Sequence, residues 1–153
     1  MNHWNLTPNI KRIRVKVDGT NYAGAAGLTD LTSEVIDTIG YLGGCFIMSL
    51  GAIVTGAVTS IKIQHGNASD GSDMADIAGS NQVITDAADN KLVIAEFYRP
   101  YKRYLRVFTD RGTQNATIDN LMVELYGPSD APVQQDASVA SYEFFNGSAE
   151  GVA

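Results

Sequence analysis

Over much of this chain hydrophobicity alternates residue by residue, and that period constrains the fold more than any other feature. In residues 10–17, Ile13, Val15 and Val17 share one face while Arg12, Arg14 and Lys16 share the other, the pattern of a strand with one side in a core. Residues 60–65 set Ile61, Ile63 and His65 against Lys62 and Gln64, and residues 116–126 set Leu121, Val123 and Leu125 against Met122, Glu124 and Tyr126. Ile118 falls out of phase with Leu121, which predicts a bulge near Asn120. Residues 45–50 are apolar on both faces, with Phe46, Met48 and Leu50 on one and Cys45 and Ile47 on the other. Such a strand sits in the middle of a sheet, or its second face meets another subunit. Residues 91–98 and 104–109, rich in Val, Ile, Phe and Tyr, complete the strong strands, with weaker ones at 33–38 and 82–85.

About eight short strands separated by Gly, Asn, Asp and Ser turns predict an all-β fold, a jelly-roll-like antiparallel β-sandwich over residues 10–127. Its core is expected to hold Ile13, Val15, Ile61, Ile63, Val93, Val107, Leu121 and Val123. No long 3.6-residue apolar stripe appears, and a single helical turn near residues 72–77 is the only helix expected. A chain of 153 residues suits one domain with tails. Residues 1–9 are polar apart from Trp4 and Leu6, and after Gly127 and Pro128 the chain turns Ser-, Ala-, Gly- and Asp-rich and carries no basic residue. These ends, an N-terminal arm over 1–9 and an acidic, flexible arm over 128–153, bury too little apolar surface to form a core of their own. Trp4, Tyr142, Phe144 and Phe145 are their expected anchors on a neighbouring subunit.

Several function classes are disfavoured. Thr38 to Ile61 is uncharged and long enough to span a bilayer, but its five glycines and its lack of basic flanking residues favour two strands joined by a loop. The N-terminus lacks the basic-then-apolar order of a signal peptide. A formal charge of −6 works against non-specific binding to DNA or anionic membrane. Cys45 is the single cysteine, set among apolar neighbours as an inert buried thiol, and His65 reads as a packed, hydrogen-bonded residue. Asp70, Asp73 and Asp76 are spaced by three rather than at the alternate positions of a calcium loop, so no metal is expected there. Without a nucleophile, base and orienting group in any recognisable pattern, neither an enzyme nor a cofactor is expected.

The most distinctive chemistry lies in Tyr98-Arg99-Pro100-Tyr101-Lys102-Arg103-Tyr104, continued by Arg106. Tyr and Arg are the types most enriched at protein-interface hot spots. Interleaved in this way they suit three partners: single-stranded nucleic acid, which the net charge disfavours; sugar rings, stacked on Tyr98, Tyr101 and Tyr104; or an acidic surface on another protein. A solvated loop with structural tyrosines is the fourth reading.

Six stretches taken together resemble a family of small tailed-bacteriophage virion proteins. They are residues 30–40 (Asp-Leu-Thr-Ser-Glu-Val-Ile-Asp-Thr-Ile-Gly), 64–76 (Gln-His-Gly-Asn-Ala-Ser-Asp-Gly-Ser-Asp-Met-Ala-Asp), 91–100 (Lys-Leu-Val-Ile-Ala-Glu-Phe-Tyr-Arg-Pro), 102–104 (Lys-Arg-Tyr), 110–119 (Asp-Arg-Gly-Thr-Gln-Asn-Ala-Thr-Ile-Asp) and 124–128 (Glu-Leu-Tyr-Gly-Pro). The resemblance runs from about Val15 to Val133 and implies a virion structural component made in the bacterial host cytoplasm. Its foremost role is a capsid cement, or decoration, protein that binds the major capsid protein and itself as a dimer or trimer. A place in the neck or tail, or a carbohydrate-binding module on the virion surface, are the alternatives. The family brings no catalytic residues to carry over.

Overall fold

The structure, a computed structural model, describes residues 5–112 and 115–143. Among these residues eleven strands are formed: β1 (Ile10–Val15), β2 (Gly24–Gly27), β3 (Leu31–Thr32), β4 (Ile36–Asp37), β5 (Tyr41–Ile53), β6 (Val58–Gly66), β7 (Ala75–Asp76), β8 (Gln82–Thr85), β9 (Leu92–Tyr98), β10 (Tyr104–Asp110) and β11 (Ala116–Pro128). The single helical element among the described residues is a 3-10 turn, Asp86–Ala88. The expected turn at 72–77 is instead a loop leading into β7, because Gln64 and His65 offer Ala75 and Asp76 a free strand edge to pair with.

One sheet runs β1-β11-β5-β9 with β2 also on β11, and the other runs β3-β10-β6-β7 with β4 on β10 and β8 on β6. Every pairing is antiparallel: β1 and β2 with β11, β3 and β4 with β10, β5 with β9 and β6 with β7 and β8, joined within the two sheets by β5 with β11 and β6 with β10. The chain is therefore folded like one long hairpin, its first half pairing with its second in nested order and then rolled into two facing sheets. That is the β-sandwich expected, with the nested pairing of a jelly roll.

Alternation decides which side chains meet between the sheets. Phe46, Met48 and Leu50 of β5, Leu121, Val123 and Leu125 of β11 and Val93 and Phe97 of β9 pack against Ile61, Ile63, Leu105 and Val107 of the second sheet. Seven of the eight expected core residues are buried, and Ile13 is half-buried against the same cluster. The register between β11 and β5 shifts between Ile118 and Asn120, so the bulge falls where the phase break placed it. β5 lies between β11 and β9 in mid-sheet; Cys45 and Ile47 face outward, half-buried among the neighbouring Glu96, Glu124, Ile94 and Met122. At Gly43 the backbone and the Tyr126 ring come so close that a Cβ would lie 2.6 Å from the Phe97 carbonyl and 2.7 Å from the ring.

The described part of the C-terminal arm lies on the sandwich. Val133 is buried, and its N–H donates to the Pro8 carbonyl (2.9 Å). Gln135 then takes the place of a neighbouring strand on the outer edge of β1: its Oε1 accepts from the Arg12 N–H (2.9 Å) and its Nε2 donates to the Ile10 and Thr7 carbonyls (2.7 and 3.0 Å). Ser138 Oγ accepts from the Arg14 N–H (2.9 Å). A bare edge invites pairing with another chain, and here side chains satisfy it. Replacing Gln135 with Ala should therefore speed hydrogen exchange at the Arg12 amide severalfold while leaving β11 amides unchanged, as read by amide-resolved NMR.

At the far end of the sandwich Arg111 is 4% exposed, and its guanidinium is surrounded by carbonyls. Nε donates to Thr29 (2.7 Å) and Nη1 to Ala25 (2.6 Å) and Ala116 (2.8 Å), so one side chain ties β2, the loop after it and the start of β11 together. Burial lowers the Arg111 pKa, opposed by Asp30 and Asp18. Arg111→Met would leave buried carbonyls without donors, each costing about 1–3 kcal/mol. Urea unfolding should show a loss of roughly 2–4 kcal/mol.

Candidate protein-contact end

The Tyr/Arg segment forms the connection that carries the chain from β9 in one sheet to β10 in the other. Arg99 has φ +48°, a left-handed conformation that disfavours a residue bearing a Cβ. Contacts on both sides hold it. The Arg99 N–H donates to the Leu42 carbonyl (2.9 Å). Four residues on, the Arg103 carbonyl accepts from both the N–H (3.1 Å) and the Oγ1 (2.6 Å) of Thr38. Arg103 also grips Asp37 through two bonds, Nε to Oδ1 (2.8 Å) and Nη2 to Oδ2 (2.7 Å). Residues 37–42 thus form a bracket that fixes both ends of the loop.

The tip held in this way is aromatic and aliphatic with a cationic border. Tyr101 is 91% exposed and Tyr98 58%. Across a groove of about 400 Å³, the bracket contributes Ile39 (61% exposed) and Leu42 (39%). Arg99 stands over the Tyr98 ring at 5.3 Å and Arg103 over the Tyr104 ring at 5.0 Å. Apolar side chains this large and this exposed at one end of a braced loop are where a partner gains most from burial.

The remaining sequence candidates divide. Arg106 and Tyr104 belong to β10, and Arg106 Nε donates to Gln64 Oε1 (2.7 Å) on the outer face of the second sheet. Arg103 is committed to Asp37. Lys102 is half-buried beside the tip and contributes favourably to the ionisation of Asp73. Tyr142 is exposed and lines a separate groove with Pro8, Pro132 and Val133. Ile10, Tyr126, Gly43 and Tyr98 occupy one row across the first sheet, so the start of β1, where Pro8 lies, and the tip of the loop share an end of the sandwich. Trp4, Phe144 and Phe145 lie outside the described residues. Ile39 and Leu42 were missed by sequence reasoning because both fall inside the long uncharged run and look like core. The left-handed Gly40 between them (φ +80°), whose carbonyl accepts from the Ser129 N–H, marks a turn and was the available signal.

The other polar candidates have structural occupations. Asp73 accepts from the Asn67 and Ala68 amides, Asp70 from Ser72, and Asp76 from Lys62 and Gln64; these bonds lower the pKa of all three. Among the described residues no three His, Cys, Asp or Glu side chains gather as a metal site would require. Cys45 is half-buried rather than buried; desolvation first, then the carboxylates of Glu96 and Glu124, raise its pKa and keep it a thiol. Tyr126 donates to Glu96 (2.7 Å), and burial followed by that bond pushes its pKa up to about 12. His65 packs beside Tyr101, ring centroids 6.3 Å apart, but its Nδ1 is shielded from solvent without a hydrogen-bond partner, contrary to expectation.

No protein-family model matches the sequence, and no curated protein matches it. A solved structure described as the crystal structure of PirA is similar over 82% of this chain and 100% of that one, at 12% identity and a TM-score of 0.33. A likeness that faint carries no argument about fold or function.

The bracket has a pH signature. The hydrogen bonds from Arg103 are the main cause of the lowered Asp37 pKa, helped by the Ile39 N–H and opposed by desolvation. A carboxylate depressed on folding adds stability above its ordinary value of 3.8, and that stability is lost as pH falls through the lower folded value. The stability difference between wild type and Asp37→Asn should thus be constant at neutral pH and shrink only below about pH 4, as followed by denaturant melts across pH.

Proposed function

We propose that this protein is a non-enzymatic structural component of a tailed-bacteriophage virion, a capsid cement protein that braces the major capsid protein shell as a homo-oligomer. The observation that carries the reading is the braced tip: Tyr101, on a loop held by Asp37, Thr38 and Leu42, is exposed across a groove from Ile39 and Leu42, and Tyr98 is exposed at the end of β9 beside it. Ordering a loop before contact removes a cost that binding otherwise carries. The cationic border formed by Arg99 and Lys102 opposes the overall charge of −6 and orients approach to an acidic shell. Several modest contacts from one rigid sandwich act together on a multi-copy surface. The resemblance of residues 15–133 to small virion proteins supplies the identity of that surface.

Undecorated capsids test the proposal directly. Wild-type protein should sediment with them in hundreds of copies; a handful per particle would place it in the neck or tail. The double variant Tyr101→Ala, Leu42→Ser should bind at least about tenfold more weakly, the loss of a single hot spot, with an unchanged circular dichroism spectrum. Equal decoration by the variant, or no attachment by wild type, would overturn the reading.

A further inference from the structure

The outer face of the first sheet, turned away from the core, presents its side chains in rows across four strands. From β9 to β1 one row reads Ile94, Ile47, Met122 and Arg14, and the next Glu96, Cys45, Glu124 and Arg12. A third sets Leu92 beside Ser49 and Asn120. Leu92 is 62% exposed and Ile94 55%, and Ile47 and Met122 continue the apolar strip as half-buried residues. The free face of an antiparallel sheet ordinarily alternates to polar residues. This one carries an aliphatic strip through its middle.

The charges on the face cancel in sum and are divided by side. Arg12 and Arg14 stand on β1, Glu96 on β9, and Glu124 lies between them. Arg12 pairs with Glu124 (2.8 Å). Arg14 Nε donates to Asn120 (3.0 Å), and its guanidinium lies 4.7 Å from the Tyr22 ring. Glu96 accepts from the Tyr126 hydroxyl, but among the described residues no cation pairs with it. In a chain of charge −6, a neutral face that is positive along one side and negative along the other is complementary to a copy of itself.

We propose that a second copy of this chain docks on the face, about a two-fold axis that runs along the strands between β5 and β11. The inference deepens the homo-oligomer part of the reading above, rests on it, and names the surface. Such a rotation lays β5 over β11 of the second copy and β9 over its β1. Ile47 then meets Met122, Glu96 meets Arg12, and Ile94 lies on the aliphatic stem of Arg14; each contact occurs twice, as in any isologous interface. An axis across the strands would instead stack Arg14 on Arg14 and set Glu96 against Leu92, which buries a carboxylate without a cation. Sheets packed face to face lie about 10 Å apart with strands within about 30° of one another, a spacing that side chains of this size fill. The neutral face offers an acidic shell no net attraction, so it and the cationic loop border serve different partners.

Sedimentation of the isolated protein tests the proposal. Wild type should pass from one copy to two as concentration rises from about 1 μM to 1 mM, the range of a modest interface. Glu96→Arg, which sets a cation against Arg12, should weaken pairing at least about tenfold, and 1 M salt should narrow that gap because the screening length falls to about 3 Å. Ile94→Lys should weaken pairing by a similar factor. Both positions are exposed, so circular dichroism should stay unchanged. The contact itself is read by NMR on a mixed sample, one half labelled at isoleucine methyls and the other at methionine methyls: Ile47 and Met122 should show a cross-copy NOE. The loop variant Tyr101→Ala, Leu42→Ser should pair like wild type. A single copy at every concentration, assembly that ends at three copies, pairing lost in the loop variant, or pairing that survives both face variants without the cross-copy NOE would overturn the proposal. No capsid is present, so the two readings fail separately: paired protein that ignores shells rejects only the virion reading, and unpaired protein that still decorates them rejects only this one.

Discussion

Everything in the molecule hangs on the ladder between β5 and β11, two thirteen-residue strands that pair along almost their whole length. It can form only where their facing residues tolerate close approach, as at Gly43, wedged between the Phe97 carbonyl and the Tyr126 ring. A methyl group at that point would force β9 or β11 outward, and with it the row that runs from Ile10 through Tyr126 and Gly43 to Tyr98. That row fixes where β9 ends, and hence where the aromatic loop begins. The placement of Tyr98 is thus a consequence of strand register in the middle of the sheet.

An open sandwich has edges, and the chain uses side chains to close two of them. Gln135 and Ser138 occupy the edge of β1, and Gln82 Nε2 donates to the Ile94 carbonyl (2.9 Å) on β9. Side-chain amides suit this task because each carries a donor and an acceptor, as a strand residue does. Arg111 does related work inside the opposite end, where loop carbonyls converge that no strand can pair. A guanidinium with five donors satisfies several at once, and a carbonyl cage compensates the desolvation of its charge.

The strands with one dry face were legible because alternation is a local property: β1, β6, β9, β10 and β11 could be read from their own residues, and the bulge from the phase of Ile118 alone. β2 could not. Gly24, Ala25, Ala26 and Gly27 carry no alternation, and the strand exists because β11 offers it an edge. β3 and β7, each of two residues, depend on their partners in the same way, and of the weak strand expected at 33–38 only β4 forms. The resting place of residues 133–138 was illegible for the same reason: a Gln and a Ser bonded to β1 across more than a hundred residues have no local signature. The Tyr/Arg cluster was legible as chemistry, but not its division of labour. Nothing in the sequence distinguishes Arg103 and Arg106, held by Asp37 and Gln64, from Arg99 at the tip.

That division bears on how an acidic protein can present a cationic border without losing its shape. A flexible loop of four cations would repel itself and have to be ordered on contact. Here Arg103 is neutralised by Asp37, which removes one repulsion and ties the loop to residues 37–42 by a two-pronged, directional contact. Arg106 is drawn down onto the second sheet by Gln64. What remains at the tip is a smaller charge beside large exposed rings, and burying an unpaired charge is the expensive part of any interface. Placing two of the arginines in structural roles leaves an exposed surface dominated by tyrosine, isoleucine and leucine with charge at its border, where, in the docking proposed above, it would guide approach and stay hydrated.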